Sequence, residues 1–136
     1  MKQETLLAIE CSSELCSVAL SHKGNTTTRF ELAPREHAYL VLPFLNSLLE
    51  EQKLTLSEVD GLVFGRGPGA FTGLRVAASI AQGLSLAASI PLASGCSLEA
   101  LAEQASAHNS QDFIPIVVVL DARMSELYWG VYLKQK

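Results

Sequence analysis

The residues best placed to do chemistry lie in one run, Val63-Phe64-Gly65-Arg66-Gly67-Pro68-Gly69-Ala70-Phe71-Thr72-Gly73-Leu74-Arg75. Its first residues read as a buried strand and its last as the start of a buried helix, so the glycines between them form a strand-to-helix turn. Such a turn bares backbone amides, and at a helix N-terminus those amides and the helix dipole favour an anion or an acceptor group. Gly67 and Gly69 can take positive φ and let a ligand or a second chain approach the backbone. Pro68 fixes its own φ and biases Gly67 towards extended geometry. The alternative is a turn whose glycines serve close packing alone.

Known phosphate-binding patterns set limits on that run. No Gly-Lys-Ser/Thr closes it and the only cations nearby are Arg66 and Arg75, which excludes a Walker-type loop. Gly65-x-Gly67-x-x-Ala70 does match the dinucleotide fingerprint with its permitted alanine. That fingerprint also needs an acidic residue about 20 positions on for the ribose hydroxyls, and none occurs between Asp60 and Glu99. The strand before the run is moreover the fourth extended segment of the chain rather than the opening one.

Other reactive side chains are scattered. His22, His37 and His108 have no partner at metal-ligand spacing and read as surface or capping residues. Cys11, Cys16 and Cys96 form no C-x-x-C pair and are odd in number, which indicates reduced thiols serving as small core residues in a cytoplasmic setting. No catalytic residue and no metal ligand is assigned.

The elements that must position the glycine run can be read along the chain. Thr5 to Ile9 reads as a buried strand, Leu15 to Ser21 as an alternating one, and Thr26 to Leu32 as a polar strand after a Lys23-Gly24-Asn25 turn. A helix is expected from about Glu36 to Gln52, a strand from Gly61 to Phe64 and a helix from Thr72 to Ala88. A short strand at Ile90 to Ala93 and a helix from Ser97 to Ala107 follow, with Ser97 as N-cap. Three meandering strands followed by helix-strand alternation predict an α/β fold of order βββαβαβα. Its mixed five-stranded sheet is that of an actin-like, ribonuclease H-like lobe. After the polar Asn109-Ser110-Gln111 connection, Phe113 to Asp121 and Glu126 to Leu133 read as a hairpin around Ala122-Arg123-Met124-Ser125. The expected organisation is a lobe over residues 1–109 and the start of a truncated second lobe over 110–136.

At 136 residues with 49% hydrophobic content the chain suffices for one packed domain or one lobe of a larger protein. A net charge of −4, with ten basic residues dispersed singly, provides no surface for a phosphate backbone, so contact with nucleic acid is expected through a partner. Met1-Lys2-Gln3-Glu4 carries charge where a signal peptide needs a longer apolar segment. The uncharged stretch from Val76 to Leu98 is diluted by Ser79, Gln82, Gly83, Ser85, Ser89 and Pro91, which fits a buried helix and a short strand better than a membrane span. A cytoplasmic protein with no membrane contact is expected.

Placing residues at 100° intervals gives the helices faces. In the second helix Val76, Ile80, Leu84 and Ala87 share a face bulky enough to cover a sheet, while Ala77, Ala78, Ala81, Ser85 and Ala88 gather elsewhere and would let another helix approach closely. In the first, Val41, Phe44, Leu45, Leu48 and Leu49 form a broad stripe with Tyr39 and Leu40 outside it. Pro43 should kink that helix or lie in its first turn. The apolar circumference exceeds what one sheet needs. Either the two helices pack on each other within the lobe, or Leu40, Phe44, Ala77, Ala81 and Ser85 form an interface with a second molecule. On the second reading, Ala81→Trp should weaken association by overpacking a close contact.

Several segments together resemble the bacterial TsaB family, also called YeaZ. They are Leu7-Ala8-Ile9-Glu10-Cys11-Ser12-Ser13, Cys16-Ser17-Val18-Ala19-Leu20, Pro34-Arg35-Glu36-His37, Gly65 to Leu74, Ala81-Gln82-Gly83-Leu84, and Asp121-Ala122-Arg123-Met124 with Tyr128-Trp129. The resemblance implies two actin-like lobes, of which this chain matches the first and the opening hairpin of the second. It also implies a non-catalytic scaffold subunit in the synthesis of threonylcarbamoyladenosine on tRNAs that read ANN codons. The implied partners are the catalytic TsaD, which holds the metal, and the ATPase TsaE. Alone, the protein is expected to form a homodimer through helices of the first lobe, and tRNA is met only through the complex. No cofactor of its own is implied. ATP would sit only at a site shared in the complex, bordered by Gly67, Gly69, Thr72 and Gly73.

Catalytic relatives carry two histidines at i and i+4 after the strand that follows the glycine loop, where this chain has Ser97 and Leu101. Relatives usually have aspartate at the position of Glu10 and serine at that of Ala70. The alternative function is an actin-like ATPase or kinase that uses Glu10 and the glycine loop around Mg-ATP. A metalloprotease would need a metal-ligand pair, and the sequence offers none.

Overall fold

The computed structural model describes residues 4–108 and 113–133. The chain runs β1 (Leu6–Glu10), β2 (Leu15–His22), β3 (Asn25–Leu32), α1 (His37–Glu51), a 3-10 turn (Leu56–Glu58), β4 (Gly61–Gly65), α2 (Phe71–Ala88), β5 (Leu92–Gly95), α3 (Ser97–Ala107), β6 (Pro115–Arg123) and β7 (Glu126–Leu133). The first five strands form one sheet in the order β3-β2-β1-β4-β5. β1, β2 and β3 pair antiparallel, while β4 is parallel to both β1 and β5. This is the mixed five-stranded sheet expected of an actin-like, ribonuclease H-like lobe. The expected boundary between 109 and 110 and the Asn109-Ser110-Gln111 connection lie outside the described residues.

Alternation places the core. Register rows run Leu20–Leu7–Leu62 and Val18–Ile9–Phe64 across the sheet, and Leu7, Ile9, Val18, Leu20 and Leu62 are all buried with Cys11 and Cys16. Val41, Leu45, Leu48 and Leu49 of α1 cover this face, as the broad apolar stripe of that helix requires. Each such side chain removed from water contributes about 1.5–3 kcal/mol. Pro43 lies inside α1 rather than in its first turn, at the cost of one helical hydrogen bond.

In α2 the two faces are the reverse of the sequence expectation. Gly73, Ala77 and Ala81 are its buried residues, and Val76, Ile80 and Leu84 flank the core as half-buried side chains. The small residues bring the helix axis close to the sheet, and bulky ones in their place would hold it off. The small-residue stripe is thus spent inside the lobe. Ser89, in the left-handed region at φ 55, ends α2. Ile90 is buried, its N–H donating to the Ser85 carbonyl and its own carbonyl accepting from the Ser85 hydroxyl. This tie postpones β5 to Leu92, two residues later than the alternation suggested.

β6 and β7 form a separate two-stranded sheet. Ile116, Val118 and Leu120 of β6 and Tyr132 of β7 pack against Leu98 and Ala102 of α3 and Cys96 just before it, giving a second, smaller core. Among the described residues no helix is long and apolar enough to cross a membrane.

Candidate functional site

β1 and β4 are parallel neighbours, so their C-terminal ends lie side by side, the edge at which open α/β sheets bind ligands. β1 ends at Glu10 and β4 at Gly65. A Cβ on Gly65 would stand 2.2 Å from Glu10 Oε2, so the glycine is the space into which the glutamate folds. Glu10 Oε1 accepts the Ser12 backbone N–H at 2.6 Å. Ser97, the first residue of α3, directs its hydroxyl at Ser12 Oγ (3.2 Å) and Glu10 Oε2 (3.5 Å).

The glycine loop closes on the same turn. A Cβ on Gly69 would meet the Ser12 carbonyl oxygen at 2.2 Å, and one on Gly73 the Cys11 carbonyl oxygen at 1.9 Å. The Ala70 N–H donates to Ser12 O, the Arg66 N–H to Gly95 O and the Ser97 N–H to Gly67 O. Three amides around the turn are therefore committed within the chain. Gly67 adopts φ +86 ahead of a cis peptide to Pro68, where the proline had suggested extended geometry. The positive φ turns its carbonyl to the start of α3.

These groups border an open crevice of about 490 Å³ between the end of β1 and α3, lined by Glu10, Ser12, Ser97, Ala100, Leu101, Glu103, Gln104 and Ala107. It combines two carboxylates, two hydroxyls and an amide with an apolar wall, and no lysine or arginine lines it. Among the described residues no three of His, Cys, Asp and Glu are grouped to hold a metal ion.

Of the candidate nucleotide contacts, Gly69 and Gly73 lie against the β1 turn, Gly67 lies against Leu74 and the start of α3, and Thr72 is exposed on the first turn of α2. Of the candidate interface residues, Leu40, Phe44 and Ser85 are half-buried. Ala77 and Ala81 are 0% exposed, because the sheet of the same chain occupies the space expected for a partner helix. The outward apolar residues of the two helices are instead Tyr39, Leu42, Phe71 and Leu86.

Ser97 is not an N-cap, since that position is Cys96 and the Ser97 side chain is turned to Ser12 and Glu10. His37 is buried, its Nε2–H donating to the Ser13 carbonyl at 2.9 Å and tying the start of α1 to the β1–β2 turn, where a surface or capping histidine was expected. Sequence reasoning missed Ser12, Glu103 and Gln104. Ser97, Leu101 and Gln104 recur at helical spacing on α3, and that shared face was the available signal.

Cys11 and Cys16 are buried and free, their thiols in mutual contact. Burial pushes both thiols up, Cys11 the further because Cys16 and Glu10 add to it. A disulfide reagent is expected to modify half-buried Cys96 first at pH 8 and to reach Cys11 and Cys16 only as the chain unfolds. Native-state labelling followed by peptide mapping checks this, and early labelling of Cys11 would contradict it.

The family model for TsaD, tRNA N6-adenosine threonylcarbamoyltransferase, matches residues 26–136. The tRNA threonylcarbamoyladenosine biosynthesis protein TsaB of Haemophilus influenzae is 43% identical over 137 residues, covering 100% of this chain and 57% of that protein. The Escherichia coli TsaB is 39% identical over 131 residues, covering 96% and 56% respectively. Among solved structures, YeaZ from Pseudomonas aeruginosa superposes with a TM-score of 0.88 at 44% identity, over 98% of this chain and 62% of that one. The chain thus spans little more than half the length of the curated relatives it matches.

Proposed function

We propose a function from the premise that the chain belongs to the TsaB (YeaZ) family of tRNA threonylcarbamoyladenosine biosynthesis proteins, itself related to the TsaD transferases. On that premise it acts in the modification pathway as a scaffold, binding and stabilising a TsaD-type catalytic subunit. A TsaE-type ATPase joins the assembly, tRNA is reached through the complex, and the protein alone pairs with a second copy through its helices.

One observation carries the scaffold reading. Ser97 and Leu101 stand at i and i+4 on α3 and both line the crevice beside Glu10, in the place where a catalytic relative would set two histidine ligands. A hydroxyl and an isobutyl group there hold no transition metal. Nucleotide phosphates fit the crevice poorly as well. Glu10 is engaged by its own turn and Glu103 adds a second carboxylate, without a basic side chain among the lining residues. On this reading ATP, where the complex uses it, sits at a site shared with a partner that supplies the cations, with Gly67, Gly69, Thr72 and Gly73 at its border; the lack of a basic lining residue supports that reading.

The docking surface is assigned to the outer sides of α1 and α2, with Tyr39 (79% exposed) and Leu86 (85% exposed) as its apolar anchors beside Leu40, Phe44 and Ser85. Analytical ultracentrifugation of the chain with the TsaD-type protein of its own organism tests this. A heterodimer is expected, and Leu86→Lys or Tyr39→Glu is expected to weaken it about tenfold or more without loss of fold, since each places a charge in a desolvated contact. Separate species in the mixture at all concentrations would reject the scaffold reading for this lobe.

A further inference from the structure

Two thiols face each other at the base of the turn on which the glycine loop rests. The β1–β2 register pairs Glu10 with Ser17, so the next pair along it is Cys11, just past the end of β1, and Cys16, near the start of β2. Both are 0% exposed in the core beneath α1 and α2, and their thiols share a hydrogen bond. Facing residues of an antiparallel pair hold their Cβ atoms about 4.5–5.5 Å apart, and a disulfide needs about 3.5–4.5 Å. A small approach of the two strand ends is enough to bridge them. The turn above the pair is a junction. Its Ser12, Ser13 and Glu14 carbonyls accept from the Ala70 N–H, the His37 ring and the Ala33 N–H respectively. The Cys11 carbonyl oxygen is the atom that a Cβ on Gly73 would meet. The starts of α1 and α2 and the end of β3 are thus all tied to a turn that stands on Cys11 and Cys16.

We propose that Cys11 and Cys16 are a redox latch, whose two-electron oxidation to a disulfide pins the base of the β1–β2 turn, and with it the seat of the glycine loop, and whose reduction frees it. The oxidant is a small-molecule disulfide of the glutathione type. Once the turn opens, the Cys16 thiolate attacks one sulfur of the reagent and expels one thiolate. Cys11, losing its own proton, then attacks Cys16 Sγ in the mixed disulfide and expels the second. The protein gives up two electrons and two protons, and the reagent leaves as two thiols. Cys16 reacts first, because burial pushes both thiols up but the contact with Cys11 offsets part of the rise at Cys16. Burial also makes opening of the turn the gate, so the latch responds to sustained oxidation rather than to a brief pulse.

The full chain is brought to equilibrium in glutathione buffers of graded oxidised-to-reduced ratio, folded and, in parallel, in denaturing urea. Each point is approached from the reduced and from the bridged side, quenched in acid and peptide-mapped. The folded chain is expected to form the Cys11–Cys16 bridge with an equilibrium constant about tenfold or more above that of the unfolded chain, as a bridge that fits the native turn must. In the bridged form the Ala70 amide, which donates to Ser12, is expected to exchange its hydrogen about tenfold more slowly than in the reduced form. Cys16→Ala, which cannot bridge, should exchange that amide alike in oxidising and reducing buffer. A folded constant equal to or below the unfolded one overturns the proposal, because native packing then resists the bridge. So does a bridge from either cysteine to Cys96, a lasting glutathione adduct in place of the bridge, or an Ala70 amide that exchanges at one rate in both forms.

Discussion

Replacing Gly73 by alanine is expected to cost about 3 kcal/mol or more, at the top of the range for overpacked positions. The same replacement at Gly83 is expected to add about 0.5–1 kcal/mol. Both glycines lie in α2. At Gly73 the new methyl would stand 1.9 Å from the Cys11 carbonyl oxygen, a backbone atom that cannot rotate away. Relief would require α2 to lift from β1 or the turn at residues 10–12 to shift, and that turn also holds Ser12 against Glu10 and against the Ala70 amide. At Gly83 nothing lies within 4 Å, so only the helix-forming gain remains. Urea midpoints of the two variants beside the parent check the pair of signs. A Gly73→Ala protein with an unchanged midpoint would mean that α2 does not press on β1.

The same contact explains what could be read from the sequence. Strand alternation at Leu7 and Ile9, the helix-strand alternation and the glycine turn are local or short-range signals, and each strand and helix expected from them is present, with β5 displaced by the buried Ile90. That the glycines demanded close approach was also legible. What approaches them was not, because the Glu10-Cys11-Ser12 turn lies far upstream and meets the loop only once β1 and β4 pair. The reversed faces of α2 have the same origin. A helix wheel ranks residues by bulk and assigns the bulky side to the sheet, yet a helix held near the sheet by Gly73 buries its smallest residues most deeply. The crevice escaped notice because Ser12, Glu103 and Gln104 carry ordinary surface chemistry and acquire a common location only through the packing of α3 beside β1.

That reversal changes the meaning of Ala81→Trp. Ala81 is 0% exposed, in the same core as Ala77, Leu48 and Leu62, so an indole there has no solvent-facing direction to take. Interiors packed at crystal density charge about 1–3 kcal/mol for a few added methylenes, and an indole adds far more volume than that. The loss is expected to exceed about 4 kcal/mol, a large part of the 5–15 kcal/mol that holds a domain of this size. The variant should show a much reduced urea midpoint or no cooperative transition, and any loss of association would follow from unfolding. Leu86→Lys separates the two causes, because Leu86 lies in the same helix yet points into water. If the helices dock a partner, Leu86→Lys keeps the parent midpoint and loses binding, whereas Ala81→Trp loses both together. An Ala81→Trp protein that keeps the parent midpoint and fails only to associate would restore the small-residue stripe as the interface and refute its burial against the sheet.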